Sequence, residues 1–279
     1  TLHVMTGFDP KAFVDLVQRE RITHTFLVPP QFSAILSLEN LEKDSFSSLK
    51  TILSAGSPLR LDVKENILNS MSENLFELYG FSEGFATMLK PHDQRKKFGS
   101  VGTPVLGFEI KIIDEKGNEC SPNVAGEIAG YGAGMMKEYY SEVDLTNSLI
   151  WTDNRGRSFI KSGDIGSLDE DGFLTILDRK KDMIISGGLN VFPVDIEEVV
   201  GKHPDINDVT VIGVPHEKWG ETCVALIIPK DGVEIDCDEI KNWSNEKLAK
   251  HQRLYKVETR VEFPRNALGK VLKRVLREP

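Results

Sequence analysis

Short β-like runs alternate with stretches of helical periodicity through the first third of the chain. That alternation limits what the chain can fold into more than any other feature. "THTFLVP" (23–29) reads as a buried strand stopped by Pro29-Pro30, and "QFSAILSLE" (31–39) as a helix. "LKTILSAGS" (49–57) is a strand running into a glycine turn, "RLDVKENILNSM" (60–71) a helix, and "NLFELYG" (74–80) a strand. Strands joined through helices pair in parallel, since a parallel crossover needs a long connection that a helix fills. Ahead of them "TLHVM" (1–5) is strand-like. Residues 9–21 read as a helix capped by Asp9, with Pro10 first and Phe13, Leu16 and Val17 at helical spacing. The expectation is a parallel sheet with helices on its faces.

The pattern changes near residue 98. "GFEIKIID", "GEIAGYG" and "FIKSGDIGSLDEDGFLTILD" are short strands broken by glycine, with hairpin turns at Lys116-Gly117 and Asp171-Gly172. This predicts an antiparallel, β-rich subdomain, a distorted barrel. A third pattern follows "DRKKD" (178–182), which reads as a linker. "PVDIEEVVGKH" is a helix with apolar Ile196, Val199 and Val200. "DVTVIGVP" and "ETCVALIIP" are strands, "CDEIKNWSNEKLAK" (237–250) a helix and "VETRVEFP" (257–264) a strand. The expected fold class is thus α/β: the end of a large parallel-sheet domain (1–97), a β-rich subdomain (98–180) and a small α+β domain (181–279). The tail, with Lys270, Lys273, Arg274 and Arg277 around Val271, Val275 and Leu276, reads as a short amphipathic helix with a solvated face.

The formal net charge is −9, so nucleic acid and anionic membranes are poor default partners. Cys120, Cys223 and Cys237 are odd in number and widely spaced, which indicates neither a disulfide framework nor a zinc site and suits the cytoplasm. No apolar run approaches the roughly 20 residues of a membrane span, and no signal peptide opens the chain.

Several stretches can carry chemistry. "YGFSEG" (79–84) follows a strand, where ligands of open α/β sheets bind. Tyr79 could flank a base, Gly80 permits close approach, Ser82 could donate to a phosphate and Glu83 could hold a divalent cation through oxygen. In "SAGSPL" (54–59) Gly56 admits a ligand close to the backbone. In "KSGDIG" (161–166) Asp164 can accept both hydroxyls of a ribose. Arg179 and Asp182 flank the linker, and Gly187-Gly188 could let a narrow, extended ligand lie against bare backbone. Each of these alone reads equally as an ordinary loop or turn. The chain contains no GxxxxGK[ST] and no GxGxxG. The six histidines are scattered and none is assigned to catalysis.

Taken in order, "VPP", "SAGSPL", "YGFSE", "GEI", "KSGD", "DRKKDMIISGGLN" and "PRNALGK" resemble the adenylate-forming superfamily of acyl- and aryl-CoA synthetases, luciferases and peptide-synthetase adenylation domains. The resemblance implies an ATP-dependent acid–CoA ligase that forms an acyl-adenylate and then a thioester, with ATP, Mg2+ and coenzyme A as cofactors and co-substrates. It implies that Tyr79 stacks on adenine, that Gly56 and Ser57 lie beside the adenine and the acyl group, that Gly80 helps bind the nucleotide, and that Ser82 touches phosphate. Glu83 would hold Mg2+, and Asp164 and Arg179 the ribose. Lys270 would be the adenylation lysine, and Lys181 the hinge about which the small domain rotates. Gly187, Gly188, Trp219 and Lys250 would meet coenzyme A, and Ala55, Phe81, Gly84 and Met88 would line the acyl pocket for a fatty or aromatic acid.

The family's Gly-, Ser- and Thr-rich phosphate loop is absent, so the chain is expected to be a C-terminal portion that adenylates poorly alone. Ile185 stands where luciferases resemble one another in having lysine, which argues against light emission. The alternatives are an enzyme that loads a carrier protein, or a non-catalytic nucleotide- or CoA-binding module. Self-association is left open.

Overall fold

A computed structural model describes residues 1–266 and 269–277; Ala267 and Leu268, inside "PRNALGK", lie outside the described residues. Its first sheet has the order β1 (His24–Leu27), β2 (Thr51–Ser54), β3 (Leu75–Gly80), β4 (Ala86–Leu89) and β5 (Thr103–Pro104). The first three strands are parallel, and β4 and β5 are antiparallel additions. Helices α1 (Pro10–Glu20), α2 (Pro29–Leu36) and α3 (Leu61–Ser70) share one core with Leu27, Ile52 and Leu75, which the register places on one face. The helices therefore lie on a single face, not on both. Right-handed crossovers between strands taken in consecutive order always land on the same side. The sequence predicts a buried first strand, but β1 is the sheet's edge, and Phe26 is 57% exposed on the far face. Asp9 caps α1 as expected, accepting from the Ala12 amide at 2.7 Å. The "TLHVM" stretch is not a strand: it pairs with no strand among the described residues, Leu2 and Val4 are exposed, and only Met5 packs against the first core.

The second sheet is antiparallel throughout, as predicted. Its strands are β6 (Phe108–Ile113), β7 (Gly126–Gly132), β8 (Ile150–Thr152), β9 (Ser158–Leu168) and β10 (Leu174–Arg179), and α4 (Val143–Leu149) leads into β8. Phe85, from the β3–β4 turn, anchors it to the first sheet. Its ring sits so close over Gly130 that a Cβ there would lie 1.9 Å from it.

The third sheet comprises β11 (Ile184–Ser186), β12 (Leu189–Val191), β13 (Ile206–His216), β14 (Gly220–Pro229) and β15 (Leu254–Thr259). Helices α5 (Pro193–Val200) and α6 (Cys237–Asn245) cover one face, and α7 (Lys273–Arg277) packs Leu276 towards the other. Two expectations are corrected here. Helix α6 ends at Asn245, whose side chain bonds both backbone groups of Leu254 and so turns the chain into β15. Strand β15 is set by parallel pairing to Cys223–Ile227 and stops at Thr259, leaving Val261 95% exposed. The tail's basic face is not simply solvated. Lys273 pairs with Glu197 at 2.8 Å and Arg277 with Asp182 at 3.1 Å.

Candidate active site

Three segments lie at the carboxyl edge of the parallel strands: Pro29-Pro30, opening α2 after β1; Ala55–Ser57, after β2; and residues 79–84, closing β3. This is where an open α/β sheet offers a crevice. Gly56 has φ +95, a left-handed conformation that a side chain would strain, so the turn after β2 needs glycine. Just before it, the Ser54 hydroxyl is buried with no hydrogen-bond partner among the described residues.

Antiparallel pairing of β9 and β10 sets Asp164 directly opposite Arg179. Asp164 is 8% exposed. It accepts a 2.8 Å hydrogen bond from the Tyr79 hydroxyl and lies 3.1 Å from Arg179 Nε. The Arg179 contact lacks hydrogen-bond geometry, and its buried Nε has no hydrogen-bond partner among the described residues. Burial, then the negative charge of Asp164, raises the Tyr79 phenol above its ordinary pKa, so it stays a donor. The sequence reading places Tyr79 and Asp164 separately; the structure ties them directly together.

Lys270 comes from the third lobe. Its backbone amide donates to Asn266 Oδ1 at 2.9 Å, and the Asn266 amide donates back to the Lys270 carbonyl at 2.9 Å. Gly269, with φ +81, packs so tightly that a Cβ there would lie 2.4 Å from Pro30 Cγ. The loop is thereby docked on the first turn of α2. Burial lowers the Lys270 pKa, as does the charge of Arg179, while Asp164 opposes both. The ammonium thus lies within electrostatic reach of the Asp164–Arg179 pair.

Glu83 accepts from the Tyr139 hydroxyl at 2.7 Å, and its backbone carbonyl accepts from the Met136 amide at 2.8 Å. Ser82 is exposed. Ala55 is 8% exposed, and Phe81 stands edge-on to Phe85 with centroids 5.1 Å apart. Gly84 is buried where a Cβ would lie 2.5 Å from Ile160; Gly80 is exposed, although a Cβ there would lie 2.4 Å from the Phe85 carbonyl. Met88 is half-buried on β4.

The other sequence-predicted residues form a separate group. Gly187-Gly188 is the tip of the β11–β12 hairpin, and the Gly187 amide donates to the Trp219 carbonyl at 2.8 Å. Lys250 lies beyond α6 and is exposed, and no contact among the described residues links it to them. Lys181, at the lobe junction, accepts from Arg277 through its carbonyl at 3.3 Å.

Sequence reasoning missed Tyr139, the docking role of Pro30, and a buried ion pair behind β3. In that pair Lys64 and Glu77 lie 2.9 Å apart, and Lys64 also donates to the Phe98 carbonyl at 2.7 Å. Pro30 sits in the "VPP" motif, but nothing local signals its partner. Tyr139 sits in an aperiodic loop, where only the doubled "YY" marks it.

The family of AMP-binding enzymes matches residues 1–140, and the C-terminal domain of AMP-binding enzymes matches residues 195–270. A feruloyl-CoA synthase from an Amycolatopsis species is 33% identical over 98% of this chain and 55% of its own length. A long-chain-fatty-acid–CoA ligase from Salmonella typhimurium is 35% identical over 88% of this chain and 43% of its own. The chain spans about half the length of the curated relatives it matches. Among solved structures, ATP-bound MatB from Rhodopseudomonas palustris is 31% identical, with a TM-score of 0.90 over 99% of this chain and 54% of its own. The apo form of the same protein gives 0.73 at 32% identity, over 97% of this chain and 53% of its own.

Proposed function

Because this chain belongs to the family of AMP-binding enzymes, we propose that it carries the nucleotide-facing residues and the mobile lysine of an ATP-dependent acid–CoA ligase. Lys270 supports this reading most directly. It is held by the Gly269–Pro30 contact beside the Asp164–Arg179 pair rather than left in solvent. The higher TM-score to the ATP-bound form of MatB than to its apo form supports an arrangement of lobes suited to the nucleotide step.

In this reading Tyr79 lies on the adenine with Gly56, Ser57 and Gly80 at its edges, and Asp164 accepts the ribose hydroxyls. Tyr79 and Arg179 hold Asp164 in place from either side. The Arg179 side chain is 43% exposed, so the outer N–H groups of its guanidinium are open to a bound nucleotide. A carboxylate oxygen of the acid attacks the α-phosphate in line, and pyrophosphate leaves with the bonding pair. Lys270 places a compact cation where two anions meet, which lowers their repulsion in the transition state.

Magnesium prefers one or two carboxylates completed by substrate phosphates. The carboxylate of Glu83, oriented by the Tyr139 hydroxyl, fits that preference. Bound there, the ion would screen phosphate charge, with Ser82 beside it. Lys181 is the proposed hinge; rotation about it would withdraw Lys270 and bring Gly187, Gly188, Trp219 and Lys250 towards the thiol substrate. Ala55, Phe81, Gly84 and Met88 face an apolar acid, fatty or aromatic, as the named relatives suggest.

Among the described residues no helix is long and apolar enough to cross a membrane. The cysteines are free, which suits a reducing compartment, and we place the protein in the cytoplasm. The reading is tested by titrating the chain with AMP. Wild type should bind, and Asp164→Ala and Tyr79→Ala should each weaken binding at least about tenfold, as loss of a charge-assisted contact or a base stack does. Equal affinity in all three would refute it.

A further inference from the structure

We propose that Tyr139 is a positioning residue that fixes the carboxylate of Glu83 so that one of its oxygens faces a divalent cation; the inference rests on the nucleotide reading above. Glu83 is held at two points. Its carbonyl accepts from the Met136 amide at 2.8 Å, and its Oε1 accepts from the Tyr139 hydroxyl at 2.7 Å. Tyr139 is itself held, because its amide donates to Thr146 Oγ1 at 3.0 Å. Thr146 is 6% exposed and donates on to the Glu142 carbonyl at 2.9 Å, across the first turn of α4. A chain of bonds therefore runs from the helix, through the phenol, to one carboxylate oxygen.

The partner's chemistry matters. A lysine or arginine would orient Glu83 but cancel its charge, and a cation would then have to displace it. A neutral phenol orients without cancelling. Oε1 is engaged, and among the described residues no hydrogen bond or ion pair reaches Oε2, which leaves that oxygen for a single-point bond to a hard cation. Carboxylate ligands held by an outer hydrogen bond lose about 10- to 100-fold in metal affinity when that bond is removed. The neighbouring Tyr140 is 96% exposed, so the chain carries its own control one residue away.

The probe is ATP, titrated into the folded chain with excess Mn2+ and separately with EDTA. The readout is the ratio of the two dissociation constants. For wild type and Tyr140→Phe, manganese should tighten binding equally. Tyr139→Phe should reduce that tightening about tenfold and leave metal-free ATP binding unchanged, a split that general loosening of the fold would not give. Thr146→Val should reduce it less, and serves if Tyr139→Phe folds poorly by circular dichroism. Glu83→Gln should abolish it. Wild-type tightening in Tyr139→Phe, with loss in Glu83→Gln, would overturn the role of Tyr139 and leave Glu83 in place. Tightening retained in Glu83→Gln would overturn both. Wild-type ATP binding that is insensitive to Asp164→Ala would instead overturn the nucleotide reading on which the inference rests, and the inference with it.

Discussion

Replacing Gly269 by alanine should undock the lysine loop. An added Cβ would stand 2.4 Å from Pro30 Cγ and 3.3 Å from its Cδ, where carbon atoms prefer about 3.5–4.0 Å. Pro30 cannot easily retreat, because its ring is fixed in the first turn of α2. Overpacking of this kind costs about 1–3 kcal/mol, so the docked fraction should fall by about 5- to 150-fold relative to the undocked one. The φ of +81 at Gly269 adds roughly 1 kcal/mol for a residue with a side chain. That second penalty acts on the turn itself, docked or not, and should not change the docking equilibrium.

Trypsin cleavage after Lys270 reports undocking, since the half-buried side chain must leave the site to enter the protease. When reclosing outpaces cleavage, the rate follows the open population. Cleavage of Gly269→Ala should therefore accelerate by a similar factor. Pro30→Ala removes the clashing atoms, so adding it to Gly269→Ala should recover about 1 kcal/mol or more of coupling. An unchanged cleavage rate in Gly269→Ala, or the same acceleration with and without Pro30, would refute the docking argument.

Lys64→Ala should destabilise the first lobe by about 3–5 kcal/mol in urea denaturation, because it strands the buried Glu77 carboxylate, whose pKa burial has already raised. Lys64→Met with Glu77→Leu should cost far less; equal losses would mean that packing, not charge, governs the site. Asp178, beside the Lys273–Glu197 pair, is pushed up to about 6 by burial. A carboxyl whose folded pKa exceeds its unfolded value contributes stability that is fully present below about pH 4 and lost as pH rises through about 6. Asp178→Asn should therefore raise thermal stability at pH 7, by roughly 3 kcal/mol at most, and change it little at pH 4. A loss at pH 7 would show that Lys273 outweighs burial.

Local pattern carried most of the architecture. The Asp9 cap, Pro10 and the Phe13–Val17 spacing predict α1, and the glycine-punctuated β-runs predict the antiparallel second sheet. What stayed hidden depends on partners distant in sequence. "TLHVM" alternates like a strand, but nothing in the described chain pairs with it, and Leu2 is 86% exposed. Strand β15 is fixed by register against β14 rather than by its own apolar spacing, so Val261 looks like a core residue and is not. The tail reads as solvated because the acids that meet it, Glu197 and Asp182, lie far upstream. The site behaves the same way. Tyr79, Asp164 and Arg179 stand out as residues, but only the opposed register of β9 and β10 and the long-range Tyr79–Asp164 hydrogen bond show that they form one cluster. Glu83 is legible, whereas Tyr139 is not, since a hydrogen bond across 56 positions leaves no local trace.

The central claim, that Lys270 serves acid activation at this site, is tested most directly by acid-dependent exchange of pyrophosphate into ATP. The exchange should be measured with the chain alone and with the chain joined to the upstream half that its relatives possess, each as wild type and as Lys270→Ala, against a panel of fatty and aromatic acids. Exchange that requires an acid and falls by two or more orders of magnitude in Lys270→Ala, about the loss of one transition-state charge contact, is the predicted result. Acid-dependent exchange that survives the substitution, or none with any acid from the well-folded longer protein, would contradict it.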